Sequence, residues 1–177
     1  MPRNKHGGGA NTNYHGLAFE QETNLEEALE NAGYDVDGNK VIWGREVIAI
    51  SAGKNRLYKD FLEPNGIYYR DFISKKLLPD EALVNFYNQT VYIIEKKFQH
   101  APGSVDEKLQ TCDFKKKQYQ KLLSRANIDV EYVYLLSDWF RKPEYKDVLD
   151  YIISVRCQYY FEYIPLKKLG LPVPGED

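Results

Sequence analysis

The sequence predicts an α/β fold: a central mixed sheet that contains an antiparallel hairpin and is flanked by helices. Three observations predict it. Thr90 to Phe98 is rich in β-branched and aromatic residues, as a buried strand requires. Asp80 to Asn85 reads as a second strand, joined to the first by a short connection at Phe86-Tyr87-Asn88-Gln89. After Pro102-Gly103 a long helical pattern leads to another strand, Val130 to Leu136, which is the order of a sheet with helical crossovers.

The elements follow in order. Residues 1–14 are rich in Gly and Asn without periodicity and read as a flexible arm preceding one domain over 15–177. From His15 a helix is expected, with Leu17, Leu25, Leu29 and Ala32 at helical spacing and Gly33 ending it. Val36-Asp37-Gly38-Asn39 is a turn, and Lys40 to Trp43 and Glu46 to Ser51 read as short strands. Asn55 to Leu62 is a short helix stopped by Pro64-Asn65-Gly66. Ser104-Val105-Asp106-Glu107 has the form of a capping box and opens a helix expected to run to Arg125. Val130, Tyr132, Tyr134 and Leu136 alternate onto one face of their strand. Pro143 to Val155 is a helix with Pro in its first turn, and Cys157 to Phe161 adds a strand.

Composition narrows the function classes. The chain has 177 residues, 24 Lys+Arg against 26 Asp+Glu and a formal net charge of -2, with 43% hydrophobic residues. That is one folded domain of ordinary size. No window reaches the run of roughly 18 apolar residues that a membrane helix needs, and the N-terminus has no apolar secretory region, so a cytoplasmic protein without a membrane partner is expected. Two cysteines cannot by themselves form a disulfide framework or a four-ligand zinc site, and Cys112 reads as core. His6, His15 and His100 are scattered, and no P-loop or dinucleotide motif occurs. Gly66-Ile67-Tyr68-Tyr69 lacks the second half that a GIY-YIG nuclease needs. The 15 Tyr suit either a binding surface or the edge of a core.

Chemistry concentrates in the hairpin. A turn centred between Tyr87 and Asn88 pairs residues whose numbers sum to 175, which sets Asp80 opposite Glu95 with Cβ atoms roughly 5 Å apart. Glu95 and Lys97 lie roughly 7 Å apart on the same face. Two carboxylates and an ammonium thus share one patch. Hard oxygen ligands at that spacing suit Mg²⁺, and a lysine beside them can position a water for phosphodiester hydrolysis. The plainer meaning of the same residues is a surface salt-bridge cluster on a strand end.

Pro79-Asp80 followed by Glu95-Lys96-Lys97 resembles the signature of the PD-(D/E)xK nuclease superfamily. Gly7-Gly8-Gly9-Ala10-Asn11-Thr12-Asn13, Gly103-Ser104-Val105-Asp106-Glu107-Lys108 and Ser137-Asp138-Trp139-Phe140 look like segments of small type II restriction endonucleases. The resemblance implies a Mg²⁺-dependent endonuclease that cuts double-stranded DNA at a short sequence and works as a homodimer. It implies Asp80 and Glu95 as metal ligands with the carbonyl of Lys96 as a further one, and Lys97 serving the attacking water. Glu20, within Gly16-Leu17-Ala18-Phe19-Glu20, looks like the first-helix Glu of many such nucleases, with Glu22 ranked below it. A repair or resolvase nuclease, or a DNA-binding domain with a decayed nuclease fold, are the alternatives.

DNA contacts are expected from a local charge excess. From Lys96 to Arg125 there are eight bases against three acids. Lys117, Lys121 and Arg125 recur every four residues as one basic helix stripe, the type of surface that holds phosphates without reading sequence. An ordinary solvated face has the same pattern. Gln99 shares the parity of Glu95 and Lys97 and is placed to reach a phosphate, and Asn11 and Asn13 of the arm are candidates for a groove.

Overall fold

A computed structural model describes residues 16–176. The expected N-terminal arm, with Asn11 and Asn13, lies outside the described residues. Seven strands form the main sheet, in the order β2 (Asp35–Asp37), β3 (Lys40–Trp43), β4 (Glu46–Ser51), β5 (Glu81–Asn85), β6 (Thr90–Lys97), β7 (Asp129–Leu136) and β8 (Gln158–Phe161). Pairing is antiparallel from β2 through β6 and parallel from β6 through β8, so the sheet is mixed as predicted. A second, two-stranded antiparallel sheet pairs β1 (Gly16–Ala18) with β9 (Tyr163–Pro165).

Two helical crossovers make the parallel half. Between β6 and β7 the chain runs through α2 (Val105–Lys108), a 3-10 turn at Leu109–Thr111 and α3 (Cys112–Leu122). Between β7 and β8 it runs through α4 (Lys146–Ser154). Strands β5 to β7 are buried on both faces, which is why their sequences are nearly continuous in apolar residues. On one face Val84, Val91, Ile93, Val130, Tyr132, Tyr134 and Leu136 pack with Leu109, Cys112 and Tyr119 of the first crossover, Ile152 of α4, and the wide helical turn at Leu57–Leu62. On the other, Leu83, Tyr92, Ile94, Val133 and Leu135 pack against α1 (Leu25–Asn31) and the small sheet. The predicted face for β7 and the core position of Cys112 both hold.

The N-terminal helix is shorter than its leucine spacing implies. Gly16–Ala18 is a strand, and Leu17 and Phe19 are buried with Ala18 exposed between them, a period of two. The helix starts only after Asn24, whose side chain accepts a hydrogen bond from Glu27 N at 2.8 Å and caps it. The crossover helix is likewise interrupted at Leu109–Thr111 and ends at Leu122 rather than Arg125.

The hairpin register is the expected one. Glu81 pairs with Ile94, Leu83 with Tyr92 and Asn85 with Thr90, each pair summing to 175. Asn85 secures the turn: its buried Oδ1 accepts from Tyr87 N at 2.9 Å, and its Nδ2 donates to Leu169 O at 2.7 Å. Replacing Asn85 with Ala strands those partners and is expected to cost about 2 kcal/mol. Replacing exposed Tyr87 with Ala should cost well under about 1 kcal/mol. Urea denaturation of the two variants checks the contrast.

Candidate active site

The β5–β6 ladder ends at Glu81 and Ile94, leaving Asp80 and Glu95 one step beyond its last rung. There the Asp80 carboxylate takes over from the missing backbone partner. Its Oδ2 accepts a hydrogen bond from Lys96 N at 2.9 Å. The strand's geometry turns the Lys96 carbonyl to that same side, while Lys97 O faces β7 and accepts from Ser137 N at 3.1 Å. Asp80, Glu95 and Lys97 therefore share a face and an end of the sheet, and Lys97 Nζ lies 3.9 Å from Glu95 Oε2.

The neighbouring Glu81 and the Lys96 side chain point the other way. Lys96 Nζ donates to Thr23 O at 3.0 Å and to Glu81 Oε1 at 3.3 Å on the opposite face. Alternation along the strands thus separates two acid–lysine groups that are adjacent in sequence.

A residue that the sequence pattern does not single out completes the site. Lys54, in the loop after β4, donates from Nζ to Asp80 Oδ1 at 2.8 Å. Its own N–H donates to Pro79 O at 2.7 Å, and Ala52 N donates to Ala82 O, so this loop is fastened along residues 79–82. Gly53 permits the approach: a Cβ there would stand 2.8 Å from Asp80 O and 3.2 Å from Glu81 Cα.

The electrostatics divide the two carboxyls. Burial acts to raise Asp80, but hydrogen bonds from Lys54, from the Glu95 carboxyl and from Lys96 N–H outweigh it and hold Asp80 below the usual carboxylate value. Burial and the negative charge of Asp80 push Glu95 up to about 7, with Lys97 and Lys115 pulling in the other direction. Below about pH 7 Glu95 therefore holds its proton and donates a hydrogen bond to Asp80, so the pair then carries one negative charge rather than two. Beneath it lies an apolar floor: Tyr119, Tyr132 and Tyr134 are buried, and burial raises the pKa of each.

The other expected residues fall elsewhere. Glu20 is in an exposed turn, not a helix, where its N–H donates to Thr23 Oγ1 and its carbonyl accepts from Thr23 N. That turn supplies Thr23 O to Lys96, so it covers the face opposite Asp80, Glu95 and Lys97. Gln99 Nε2 donates to Asp106 Oδ1 at 3.4 Å. Asp106 also accepts from Tyr145 OH at 3.2 Å, beside a cleft of about 770 Å³ lined by Pro102, Gln110, Tyr145 and Tyr151. Gln99 is thus committed to this network.

The basic stripe is not one surface. Lys117 is paired with Asp113 at 2.9 Å, Lys121 is exposed, and Arg125 lies past the end of α3 with its guanidinium 5.7 Å from the Phe72 ring centre. Lys115 and Tyr119, one turn apart on α3, are the residues whose electrostatics reach Glu95. Lys117 is two positions from Lys115, which on a helix is about 200° around the axis. Lys117 thus points away from the side of α3 on which Lys115 and Tyr119 reach Glu95.

Two carboxylates and a carbonyl are a hard-oxygen donor set, and Mg²⁺ is commonly held by one or two carboxylates with water completing its shell. Asp80 and Glu95 touch at one strand end with the Lys96 carbonyl turned to the same side, and oxygens so grouped fit a divalent cation. Among the described residues no group of three or more His, Cys, Asp or Glu side chains could hold a metal ion, so the donors here are two side chains and a backbone carbonyl. No helix among them is long and apolar enough to cross a membrane.

Raising Glu95 from 4.5 in the unfolded chain to about 7 in the fold makes the folded state bind more protons between those values. Its contribution to stability is therefore full below 4.5 and is lost as pH rises through about 7. The metal-free melting temperature should fall over this range, and Glu95→Gln should flatten the fall and melt higher than the parent at pH 8. Thermal melts in EDTA across this pH range check both.

Compared with protein-family models, with curated proteins and with solved structures, the chain finds no match, so what this site does has to be read from its own chemistry.

Proposed function

We propose that the protein is a Mg²⁺-dependent endonuclease that hydrolyses phosphodiester bonds in double-stranded DNA, of the type II restriction kind implied by the PD-(D/E)xK resemblance. The observation that carries the reading is the contact between the Asp80 and Glu95 carboxyls with Lys97 on the same face, at a strand end where the ladder stops. Asp80, Glu95 and the Lys96 carbonyl would hold the cation. When bound, the cation supplies the charge that neutralises a phosphate and acidifies water. Lys97 would orient the attacking water and stabilise charge in the transition state. Lys115 adds positive charge over the same patch, which draws a polyanion to a protein whose net charge is -2. A two-fold DNA target would be served by a homodimer, with one site for each strand.

Digestion of unmethylated phage DNA with Mg²⁺ or with EDTA tests the reading. Discrete bands that need Mg²⁺ support it. A smear would replace sequence-specific cleavage by a repair-type or non-specific nuclease, and intact DNA in both lanes would count against cleavage. Asp80→Asn should abolish cutting, and Lys97→Ala should slow it by about 10²-fold or more while DNA binding persists. Gly53→Ala should slow cleavage on the order of tenfold or more, because its methyl group displaces the Asp80 backbone, with the far-ultraviolet dichroism spectrum unchanged.

A further inference from the structure

Lys54 stands where a cation would stand. Its ammonium is 2.8 Å from Asp80 Oδ1, the oxygen left over after Lys96 N–H has taken Oδ2. The contact is not imposed by packing, since the Lys54 side chain is 62% exposed while that of Asp80 is 25% exposed. The backbone brings it within reach. Lys54 has φ of 54°, the left-handed region that lysine rarely adopts, and its N–H is tied to Pro79 O. An unfavourable conformation is thus retained at a position that aims a flexible charged arm at the carboxylates.

Such an arm has two places to go. Against Asp80 it neutralises the carboxylate, and swung outward it meets whatever polyanion lies over the strand end. Lys97 and Lys115 do not duplicate it, because they act on Glu95. A divalent cation held by Asp80 would be repelled by the Lys54 ammonium, so the two would exclude one another.

We infer that Lys54 is a stand-in cation for the metal, occupying Asp80 Oδ1 in the metal-free protein and passing to a phosphate oxygen of the DNA when the divalent ion binds. The inference rests on the metal-dependent nuclease reading and assigns Lys54 a positioning role in it. No bond is made or broken in the exchange; one ionic contact replaces another.

The test uses Lys54→Met, which keeps the length of the side chain without its charge, and Lys54→Arg, which keeps the charge. Calorimetric titration with Mg²⁺ alone, in the absence of DNA, reads the first contact. Lys54→Met should bind Mg²⁺ about fivefold more tightly than the parent, the scale of a solvent-exposed ion pair, and Lys54→Arg should bind as the parent does. DNA binding in Ca²⁺, measured against salt concentration, reads the second. The slope of log affinity against log salt should fall by about one for Lys54→Met and be restored in Lys54→Arg. If the parent binds Mg²⁺ and the affinity of Lys54→Met is unchanged or weaker, the stand-in role is wrong while the nuclease reading stands. An unchanged salt slope removes the hand-over to phosphate. If the parent neither binds Mg²⁺ nor cuts DNA, the nuclease reading itself fails and takes this role with it.

Discussion

The molecule is organised around two carboxyl groups forced together at the rim of an apolar layer. Like charges at hydrogen-bond distance repel, and here the repulsion is sharpened by a floor of buried tyrosines that offers little dielectric relief. The rest of the site answers that repulsion in three ways: Glu95 keeps a proton, Lys97 and Lys115 stand near Glu95, and Lys54 reaches across to Asp80. Each response lowers the same electrostatic cost, and each would be altered by a divalent cation. The layered sheet supplies rigidity for this. Buried strands β5 and β6 cannot move apart to let the carboxylates separate without opening the core on both faces.

Strand alternation sorts neighbours into different duties. Asp80 and Glu81 are consecutive, as are Glu95, Lys96 and Lys97, yet Glu81 and Lys96 form their own ion pair on the far face and fasten the Thr23 turn. Burial raises the Glu81 pKa, and Lys96 offsets part of that rise. The far pair anchors the strand ends from behind, so the near pair is held by backbone that is pinned on both sides.

The hairpin and the carboxylate pair were legible because both depend on short-range rules. A four-residue turn and a period of two place Asp80 opposite Glu95 without any knowledge of the remaining fold. The extent of the first helix was not, since Leu17, Leu25 and Leu29 match a helical spacing by coincidence. The Asn24-x-x-Glu27 cap was the better marker of where the helix begins, and it places Glu20 outside. A helical wheel sets Lys115 and Lys117 on different faces but does not say which face meets the sheet; that depends on how the crossover docks. Three-residue strands such as β1 and β9 carry too little pattern to be read, and their pairing is long-range. Lys54 was invisible for the same reason: it lies 26 positions from Asp80 and belongs to no spacing rule.

The hairpin also separates a cheap closure from a costly one. Asp80 and Glu95 are joined through a tight turn, a closure that chains of this kind complete in about 1–10 μs. Strand β7, which brings Tyr132 and Tyr134, reaches β6 only after the chain has passed through α2 and α3, a longer loop with a larger entropic cost of closure. The contact between the carboxyls therefore closes at less entropic cost than the strand pairing that lays the tyrosine floor against them. The cost of confining the two carboxyls together thus falls on that longer-range pairing, and the shared proton and the nearby lysines offset it there.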